Sequence, residues 1–278
     1  MNNSDRTIVT QDEIERGLRE VGIGAGDVAL VHSSLSAMGW VEGGPDTVID
    51  AFLSVLDPEQ GTLVVPTLCQ KDIDRRFELW DIDRSPSDVG AITEAGRLHP
   101  DAIRSDHATH SVAAIGDLAE AIATGHQLAQ QRPSPWGSAA FGIGSPWGKL
   151  YALDAHYLFL GVTTSCNTIG HFAQAEFIRR VLQEIPRERR DELADQVSGW
   201  QHEGAWPWFG FDLCEEWLAE NDAMRYAQIG DATLRATGAK INVDTILDKL
   251  RNEPESFLKP DFLDWLERVK AAASPDYS

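Results

Sequence analysis

The stretch from residue 27 to residue 66 decides the fold class: it reads DVALVHSSLSAMGWVEGGPDTVIDAFLSVLDPEQGTLVVP. DVALVH (27–32) and GTLVVP (61–66) are short apolar runs, which are typical of buried strands. Between them, PDTVIDAFLSVL (45–56) begins with proline and repeats apolar residues at helical spacing. The order strand, helix, strand predicts a parallel pair joined by a crossover helix. We therefore expect an α/β fold, a sheet with flanking helices that binds ligands where its strands end.

The chain on either side of this stretch extends the pattern. Residues 11–22 are predicted to form an amphipathic helix, because Ile14 and Leu18 recur on one face and Thr10 stands three residues before Glu13, as in a capping box. Two further apolar runs predict more strands of the sheet, SVAAIG at 111–116 and HYLFLGV at 156–162.

The domain organisation is expected to be simple. No stretch has the Pro, Gly and Ser composition of a linker, which predicts one domain over residues 1–278. Residues 67–89 mix charged, aromatic and proline residues without a period and predict a long loop or lid. Residues 178–278 hold a helix interrupted at Pro186 and a tryptophan-rich segment, so they could form a C-terminal helical and aromatic subdomain.

The charge of the chain restricts its partners. It carries 24 Lys and Arg against 44 Asp and Glu, a formal net charge of −20 at pH 7. Such a surface repels nucleic acid and anionic membranes, which excludes those partner classes. Carboxylates gathered in a cleft would attract a cationic small molecule, whereas the same charge spread evenly would only provide solubility. We expect a cationic small-molecule partner, no nucleic acid and no membrane.

Three features predict a cytoplasmic protein, while a monomer and a homodimer both remain open. The amino terminus MNNSDRTIVTQDE is polar and acidic, where a secretion signal starts basic and continues apolar. No apolar run approaches the roughly 18 residues of a membrane helix. Cys69, Cys166 and Cys214 form no CxxC pair and are expected to remain reduced.

The segment NTIGHFAQAEF (167–177) holds the first candidate for chemistry, His171. Asn167 is a plausible N-cap, which places His171 in the first turn of a helix that follows a strand. The positive end of the helix dipole favours the neutral, basic form of imidazole there. Gln174, at i+3, shares the helix face and can orient the ring, while Glu176, at i+5, points further round the helix. A purely structural histidine is the alternative.

Other patterns carry weaker indications. The HATH run (107–110) has two histidines at i and i+3, but a third zinc ligand is not obvious, so no metal is expected. Cys166 near His171 could act as a thiolate nucleophile. GxSxG and GxxxxGK[ST] do not occur, which removes the strongest support for an esterase or an NTPase. Tryptophans around Asp212 and Glu215 suit a cationic ligand or simply fill the core.

Five segments, in this order, resemble the aminoglycoside 3-N-acetyltransferase family. They are VHSSLSAMGWVEGGPDTVIDAFLSVLDPEQGTLVVPT (31–67), RSDHATHSVAAIGDLAEAI (104–122), SPWGKL (145–150), LFLGVTTSCNTIGHFAQAE (158–176) and, more loosely, IGDATLRATGAKINVDTIL (229–247). The resemblance implies an α/β fold distinct from that of the GNAT acetyltransferases. It also implies transfer of an acetyl group from acetyl-CoA, as co-substrate, to the 3-amino group of the drug's deoxystreptamine ring.

The resemblance further implies roles for individual residues. His171 takes the position of the general base, which removes a proton from the attacking amine. Gln174 and Glu176 are the candidate partners of that base. The implied coenzyme-binding residues are His32, Ser33, Ser34, Leu35, Ser36, Arg104, His107, Ser111, Val112 and Ala113, and the implied acidic substrate contacts are Asp72, Asp212 and Glu215.

Three positions depart from the family pattern. Ala108 replaces the proline of a His-Pro pair, and Ser36 replaces a basic residue that is a candidate phosphate contact, a task that Arg104 or Lys149 could take over. Gln174 replaces the glutamate of His-x-Ala-Glu. The amide could orient His171 without lending it negative charge, a nearby acid such as Glu176 could substitute, or the activity could be weak or altered.

Four functions follow from these observations. An aminoglycoside acetyltransferase with His171 as base is the first, and an acetyltransferase of the same family acting on another amine is the second. A weakly active or non-catalytic protein that binds cationic molecules is the third, and a zinc hydrolase built on HATH is the fourth.

Overall fold

The computed structural model describes residues 6–69, 79–126, 140–197 and 204–273. The strands in these ranges are β1 Ile8–Val9, β2 Val28–Ser33, β3 Trp40–Val41, β4 Thr62–Pro66, β5 Ile103–Arg104, β6 Val112–Gly116, β7 His156–Leu160, β8 Arg225–Ile229 and β9 Ala232–Gly238. The helices there are α1 Gln11–Glu20, α2 Pro45–Leu56, α3 Ala91–Leu98, α4 Ala119–Ala123, α5 Pro146–Ala152, α6 Ile169–Gln183, α7 Arg187–Asp195, α8 Leu213–Glu220, α9 Ala239–Asn252 and α10 Pro260–Ala273.

A mixed seven-stranded sheet forms the centre, with the strand order β5-β6-β4-β2-β7-β9-β8. β2 runs parallel to β4 on one side and to β7 on the other, while β6 and β9 run antiparallel to their neighbours. The predicted α/β class and the parallel pair joined by a crossover helix are confirmed, since α2 connects β2 to β4. The three parallel strands therefore end at one edge of the sheet.

The predicted elements differ from the observed ones mainly at their ends. The helix predicted for residues 11–22 is α1, and Thr10 Oγ1 accepts the Glu13 N–H at 3.4 Å, as the capping-box spacing predicts. The long helix predicted around Pro186 forms two helices, because proline cannot donate the backbone hydrogen bond that would continue the first. α6 ends at Gln183, and Pro186 is the N-cap of α7.

Alternate residues of the sheet face two apolar clusters. Leu30 and Val64 belong to one cluster, whereas Ala29, Val31 and Leu63 belong to the other. Both faces of the central strands are thus covered, which explains why these strands read as continuous apolar runs without polar alternation.

The last third of the chain joins this same structure. β8 and β9 extend the central sheet beyond β7, and the first apolar cluster includes Trp265 and Val269 of α10. Residues after 178 therefore contribute to the same sheet and the same apolar cluster as the residues before them. In the ranges that the structure describes, no helix combines the length and the apolar content needed to span a bilayer.

Candidate active site

Two adjoining cavities lie at the edge of the sheet where β2, β4 and β7 end. The inner cavity, about 310 Å³, is lined by His32, Ser33, Pro66, Leu68, Val89, Thr93, Val162, Ser165, Cys166, Asn167, Thr168, His171 and Phe211. The outer groove, about 780 Å³, is lined by Ser33, Ser34, Leu35, Ser36, Gly39, Trp40, Val41, Gly43, Gly44, Val89, Gly90 and Ala91. Because Ser33 and Val89 line both, one extended molecule could occupy the two.

His171 reaches the inner cavity from the first turn of α6. The N-cap of this helix is Thr168, not Asn167 as predicted, because the Asn167 amide is engaged elsewhere. Asn167 Nδ2 donates to Asn242 Oδ1 at 2.9 Å, and Asn242 Nδ2 donates back to Asn167 Oδ1 at 3.1 Å. This reciprocal buried pair ties the turn that carries His171 to helix α9.

Aromatic rings surround the His171 imidazole. The ring centroids of Phe211, Phe141 and Trp208 lie 4.9, 5.4 and 6.0 Å from that of His171. The Phe211 ring can pack this closely because residue 170 is glycine: a Cβ at this position would lie 2.5 Å from Phe211 Cε1. The apolar wall limits access of water to the imidazole and leaves hydrogen bonds to fix its orientation.

Gln174 supplies one of those hydrogen bonds and is itself held by two others. Its Nε2 donates to the Pro207 carbonyl at 2.6 Å, and its Oε1 accepts the Trp206 Nε1–H at 3.1 Å. The amide orientation is therefore determined, and Oε1 must also be the atom that faces His171 Nδ1 at 2.9 Å. Because Oε1 only accepts, Nδ1 carries the imidazole proton and Nε2 carries the lone pair.

Glu176 is not the partner of His171. Its Oε1 accepts from Arg179 and Arg180, at 2.6 and 2.7 Å, and its Oε2 accepts a second bond from Arg179 at 2.6 Å. Burial opposes ionisation of this side chain, yet the hydrogen bonds from the two arginines lower the pKa of Glu176. The carboxylate thus neutralises arginines on the far side of α6, and the partner of His171 is an uncharged amide.

Replacement of Gln174 by glutamate is expected to destabilise the protein at neutral pH, because a carboxylate oxygen would face the Pro207 carbonyl instead of an N–H donor. The buried donor is lost and two acceptor oxygens are brought together, which costs about 1–3 kcal/mol. We expect Gln174→Glu to lower the free energy of unfolding by that amount at pH 7.5, measured by urea denaturation.

The deficit of Gln174→Glu relative to the wild type should shrink as the pH falls, because a protonated carboxyl can donate to Pro207 again. Gln183→Glu, the same change at an exposed position of α6, is the control and should leave stability within about 0.5 kcal/mol. Equal stability of Gln174→Glu and the wild type at pH 7.5 would contradict the assigned hydrogen bonds.

His32 faces the same inner cavity from the end of β2. Its Nε2 lies 2.8 Å from the Tyr157 hydroxyl, and the Tyr157 oxygen accepts the Ile169 N–H at 3.1 Å. The imidazole is stacked on Phe159 with a centroid distance of 5.6 Å. Burial lowers the pKa of His32 to about 3, so the ring is neutral at physiological pH.

The HATH run forms a buried histidine cluster beside the cavity. His107 Nδ1 accepts the backbone N–H groups of Thr109 and His110, at 3.3 and 3.1 Å, which fixes the turn before β6. The His107 ring stacks on His126 at 4.7 Å, and the His110 ring lies 6.1 Å from that of His171. Burial lowers the pKa of His107 and His110 well below the usual histidine value. Across the described ranges, no three His, Cys, Asp or Glu side chains form a group that could hold a metal ion.

The predicted coenzyme-binding residues separate into two groups. Ser33, Ser34, Leu35 and Ser36 line the outer groove, and the buried Ser33 Oγ has no hydrogen-bond partner among the described residues. His107, Ser111, Val112 and Ala113 line neither cavity. The last two lie within β6 and pair with Pro66 and Val65 of β4, and the Ser111 hydroxyl donates to the Thr67 carbonyl at 2.9 Å.

Arg104 and Lys149 are both occupied within the fold. The Arg104 guanidinium donates to the carbonyl groups of Thr67 and Ile82, at 2.8 and 3.0 Å, and lies 4.5 Å from the Trp80 ring centroid. The Lys149 ammonium donates to the Ile122 carbonyl at 3.3 Å, in the last turn of α4. Neither residue lines the outer groove, so within the described ranges no basic side chain there takes the place of the one that Ser36 replaces.

The predicted substrate contacts also differ among themselves. Asp72 lies outside the described residues. Asp212 is exposed, follows the cavity residue Phe211 and makes no capping hydrogen bond at the start of α8. Glu215 accepts from Arg235 Nε at 2.7 Å, so its charge is already balanced.

Several residues of the site were not identified by sequence reasoning. Phe211 and Thr168 line the inner cavity, Trp206 and Pro207 hold Gln174, and Tyr157 holds His32. The one available signal was Tyr157 itself, a hydroxyl-bearing residue in an otherwise apolar strand, where a buried tyrosine needs a hydrogen-bond partner. Trp206, Pro207 and Phe211 lie far along the chain from Gln174 and His171, which they contact.

The sequence profile described as aminoglycoside 3-N-acetyltransferase matches residues 30–251. The chain is 30% identical over 246 residues to aminoglycoside N(3)-acetyltransferase IV of Salmonella sp, which covers 87% of this chain and 88% of that protein. It is 33% identical over 187 residues to the SPbeta prophage-derived aminoglycoside N(3')-acetyltransferase-like protein YokD of Bacillus subtilis (strain 168), covering 59% of this chain. This second match spans 64% of the relative, less than two thirds of its length.

Solved structures share the fold. One is a variant of aminoglycoside acetyltransferase AAC(3)-IVa in complex with a gentamicin, with a TM-score of 0.71, 25% identity and coverage of 97% of this chain and 100% of that one. Another is AAC-IIIb as a binary complex with CoASH, with a TM-score of 0.67, 22% identity and coverage of 91% and 99%. With the match over residues 30–251 and a similar relative along most of its length, this chain belongs to the aminoglycoside 3-N-acetyltransferase family.

Proposed function

We propose that this protein transfers the acetyl group of acetyl-CoA to the 3-amino group of an aminoglycoside, with His171 as the general base. The observation that carries the proposal is the position of His171 Nε2. Gln174 holds the proton on Nδ1, so the basic nitrogen belongs to a ring that lines the inner cavity. The amide does this without adding charge to the base.

Acetyl transfer from a thioester to an amine requires a base next to the bound amine. The amine nitrogen forms a bond to the thioester carbonyl carbon, His171 Nε2 takes a proton from that nitrogen, and the carbon–sulfur bond breaks with its electron pair on sulfur. Protonation of the thiolate then gives the amide and free CoA. Holding amine and thioester together in one cavity removes much of the entropic barrier.

Acetyl-CoA is the proposed co-substrate because the outer groove suits an extended, phosphate-bearing molecule. Ser34 and Ser36 line this groove, and their hydroxyl groups can bind polar groups of the pantetheine arm. Gly44 and Gly90, the N-caps of α2 and α3, line the groove, and helix amino termini favour phosphate groups. The complex of the AAC-IIIb relative with CoASH supports the same coenzyme.

Two observations make an aminoglycoside the proposed acceptor: the negative charge of this chain and the ligand of a related structure. The net charge of −20 attracts a molecule that carries several ammonium groups, and Asp212 stands exposed next to Phe211 of the cavity. We propose Asp212 and Asp72 as contacts of those ammonium groups, through charge-assisted hydrogen bonds. The gentamicin complex of the AAC(3)-IVa relative supports this substrate class.

Asp212→Asn is expected to raise KM for the aminoglycoside by about 3- to 30-fold at low salt, because one charge-assisted hydrogen bond becomes a neutral one. The change should leave KM for acetyl-CoA unaltered and should weaken the dependence of the aminoglycoside KM on ionic strength. Asp261→Asn, the same change at an exposed aspartate of α10, is the control. Equal KM values and salt dependences in both variants would argue against a contact at Asp212.

We also propose a cytoplasmic, single-domain protein. Cys69, Cys166 and Cys214 form no disulfide, as is usual in a reducing compartment. The chain would act as a monomer or a homodimer.

The decisive experiment is release of CoA thiol from acetyl-CoA by the purified protein. The acceptors are gentamicin, apramycin, tobramycin and neomycin, with simple primary amines as the comparison. Thiol release with an aminoglycoside and acetylation at the 3-amino group, located by NMR, is the expected result. Release only with other amines would assign the same chemistry to a different substrate. No release with any amine, together with a thermal shift on adding an aminoglycoside, would indicate a non-catalytic binding protein.

A further inference from the structure

We infer that His32, as a neutral imidazole, donates a hydrogen bond from Nδ1 to the thioester carbonyl oxygen and stabilises the oxyanion that forms there. The inference rests on the proposed function, because it concerns the same acetyl transfer. It assigns the two cavity histidines opposite tasks. His171 accepts a proton, and His32 donates a hydrogen bond without releasing its proton.

The tautomer of His32 follows from its surroundings. The Tyr157 hydroxyl is fully buried and accepts the Ile169 N–H, so its own hydrogen needs an acceptor. His32 Nε2, at 2.8 Å, is the acceptor that the described residues provide. Nε2 therefore carries the lone pair, and the neutral ring has its proton on Nδ1. Tyr157 thus fixes the tautomer of His32 as Gln174 fixes that of His171, and both rings carry their proton on Nδ1. The difference is that Gln174 holds the Nδ1–H of His171, whereas Tyr157 holds the Nε2 of His32.

The Nδ1–H is available to a ligand. No hydrogen bond joins His32 Nδ1 to the described part of the protein. Nδ1 is not one of the atoms there that are both buried and unpartnered, so it keeps some exposed surface. The imidazole is 7% exposed and lines the inner cavity. The small remaining exposure of His32 is therefore toward the cavity, where a carbonyl oxygen can complete the hydrogen bond.

The position within the site selects the thioester over the rest of the coenzyme. His171 and His32 share the inner cavity, about 310 Å³, whereas the larger groove beyond Ser33 is left for the pantetheine arm and the nucleotide. For His171 to take a proton from the attacking amine, the thioester carbonyl must lie within this inner cavity. The carbonyl oxygen is the acceptor of that group, and it gains negative charge during the reaction.

The step balances without another reactant. The amine lone pair forms the carbon–nitrogen bond, and the carbonyl π pair moves to oxygen, which accepts the His32 Nδ1–H. His171 Nε2 takes the amine proton. The oxygen pair then re-forms the carbonyl bond and expels the thiolate. A neutral imidazole that polarises a carbonyl is an established catalytic device, and its burial keeps this ring neutral throughout.

Two variants of His32 test the inference. His32→Asn places an amide N–H near the position of Nδ1, and His32→Leu has a similar volume without a donor. We expect His32→Leu to lower kcat about 100- to 1000-fold, as loss of an oxyanion donor does. His32→Asn should recover activity to within about tenfold of the wild type. KM for acetyl-CoA should change by less than about threefold in both, since the contact strengthens only in the transition state.

The outcomes separate this inference from the proposed function. A kcat of His32→Leu close to that of an active wild type would overturn the role of His32 and leave the proposed function standing. A raised KM for acetyl-CoA with an unchanged kcat would also overturn it, in favour of a pantetheine contact. A wild type that releases no thiol would overturn the proposed function and this role together.

A third variant covers a failure to fold. If the melting temperature shows that His32→Leu does not fold, His32→Gln replaces it in the comparison. Glutamine places its amide toward Tyr157 and leaves no donor near the Nδ1 position, so its kcat should fall well below that of His32→Asn. Equal kcat values for the Asn and Gln variants would overturn the inference.

Discussion

His171→Ala is expected to lower kcat for acetyl transfer by about 100- to 10,000-fold, which is the usual contribution of a positioned general base. The imidazole lines the inner cavity, and Gln174 holds it with Nε2 as the basic nitrogen. Without it, the amine must lose its proton to solvent inside a pocket that Phe211 lines. The measurement is steady-state CoA release at saturating acetyl-CoA and aminoglycoside.

Binding of the coenzyme separates loss of chemistry from loss of structure. The outer groove contains no part of His171, so the dissociation constant of acetyl-CoA for His171→Ala should stay within about threefold of the wild-type value. His156→Ala is the matched control, because His156 begins β7 at the opposite edge of the sheet and pairs with Asp27. A kcat for His171→Ala equal to that of His156→Ala would remove His171 from the mechanism.

The protein is expected to unfold steeply as the pH falls from about 6 to about 4, because it buries four neutral histidines. Burial lowers the pKa of His32 to about 3 and that of His126 to about 4, and it lowers the pKa of His107 and His110 well below the usual value. In the unfolded chain each titrates near 6.5.

The sign of the effect follows from proton uptake. Between about pH 6 and pH 4 the unfolded state binds up to four more protons than the folded state, so stability rises with pH in this window. The contribution is fully present above about pH 6.5 and is lost as the pH falls. Each proton contributes about 1.4 kcal/mol per pH unit, so four contribute up to about 5 kcal/mol per pH unit. Against a usual total stability of about 5–15 kcal/mol, one to three pH units suffice for unfolding.

Urea denaturation at several pH values between 7.5 and 5 measures this slope. His126→Gln keeps a donor toward the Ala140 carbonyl and removes the titrating ring, so it should reduce the proton uptake by about one. His99→Gln changes a histidine outside the buried cluster and should leave the slope unaltered. Uptake of one proton or fewer by the wild type would show that the cluster is not held neutral.

Part of the site could be predicted because it depends on local order along the chain. A strand followed by a helix start places His171 at the end of a parallel strand, and Gln174 follows one helical turn later. The serines after β2 lie in the outer groove for the same reason. In each case the candidate residue is positioned by the element that carries it.

The remaining predictions depended on contacts that a sequence pattern does not contain. Arg104 and Glu215 looked suited to bind phosphate and ammonium groups, but Thr67 and Arg235 hold them within the fold. Glu176 looked available to His171, but Arg179 and Arg180 are one turn further along α6 and take up its charge. A charged side chain pairs with whatever opposite charge packing brings within reach.

The sequence by itself determined the α/β class, the β2-α2-β4 unit, the family and the place of His171, because each depends on periodicity or on a motif read along one segment. Only the tertiary structure decided which nitrogen of each cavity histidine is basic. That choice depends on Pro207 and Trp206 for the His171–Gln174 pair, and on Tyr157 for His32, 125 residues away. Periodicity shows which face of an element is buried, but the hydrogen-bond partner on that face comes from whichever element packs against it.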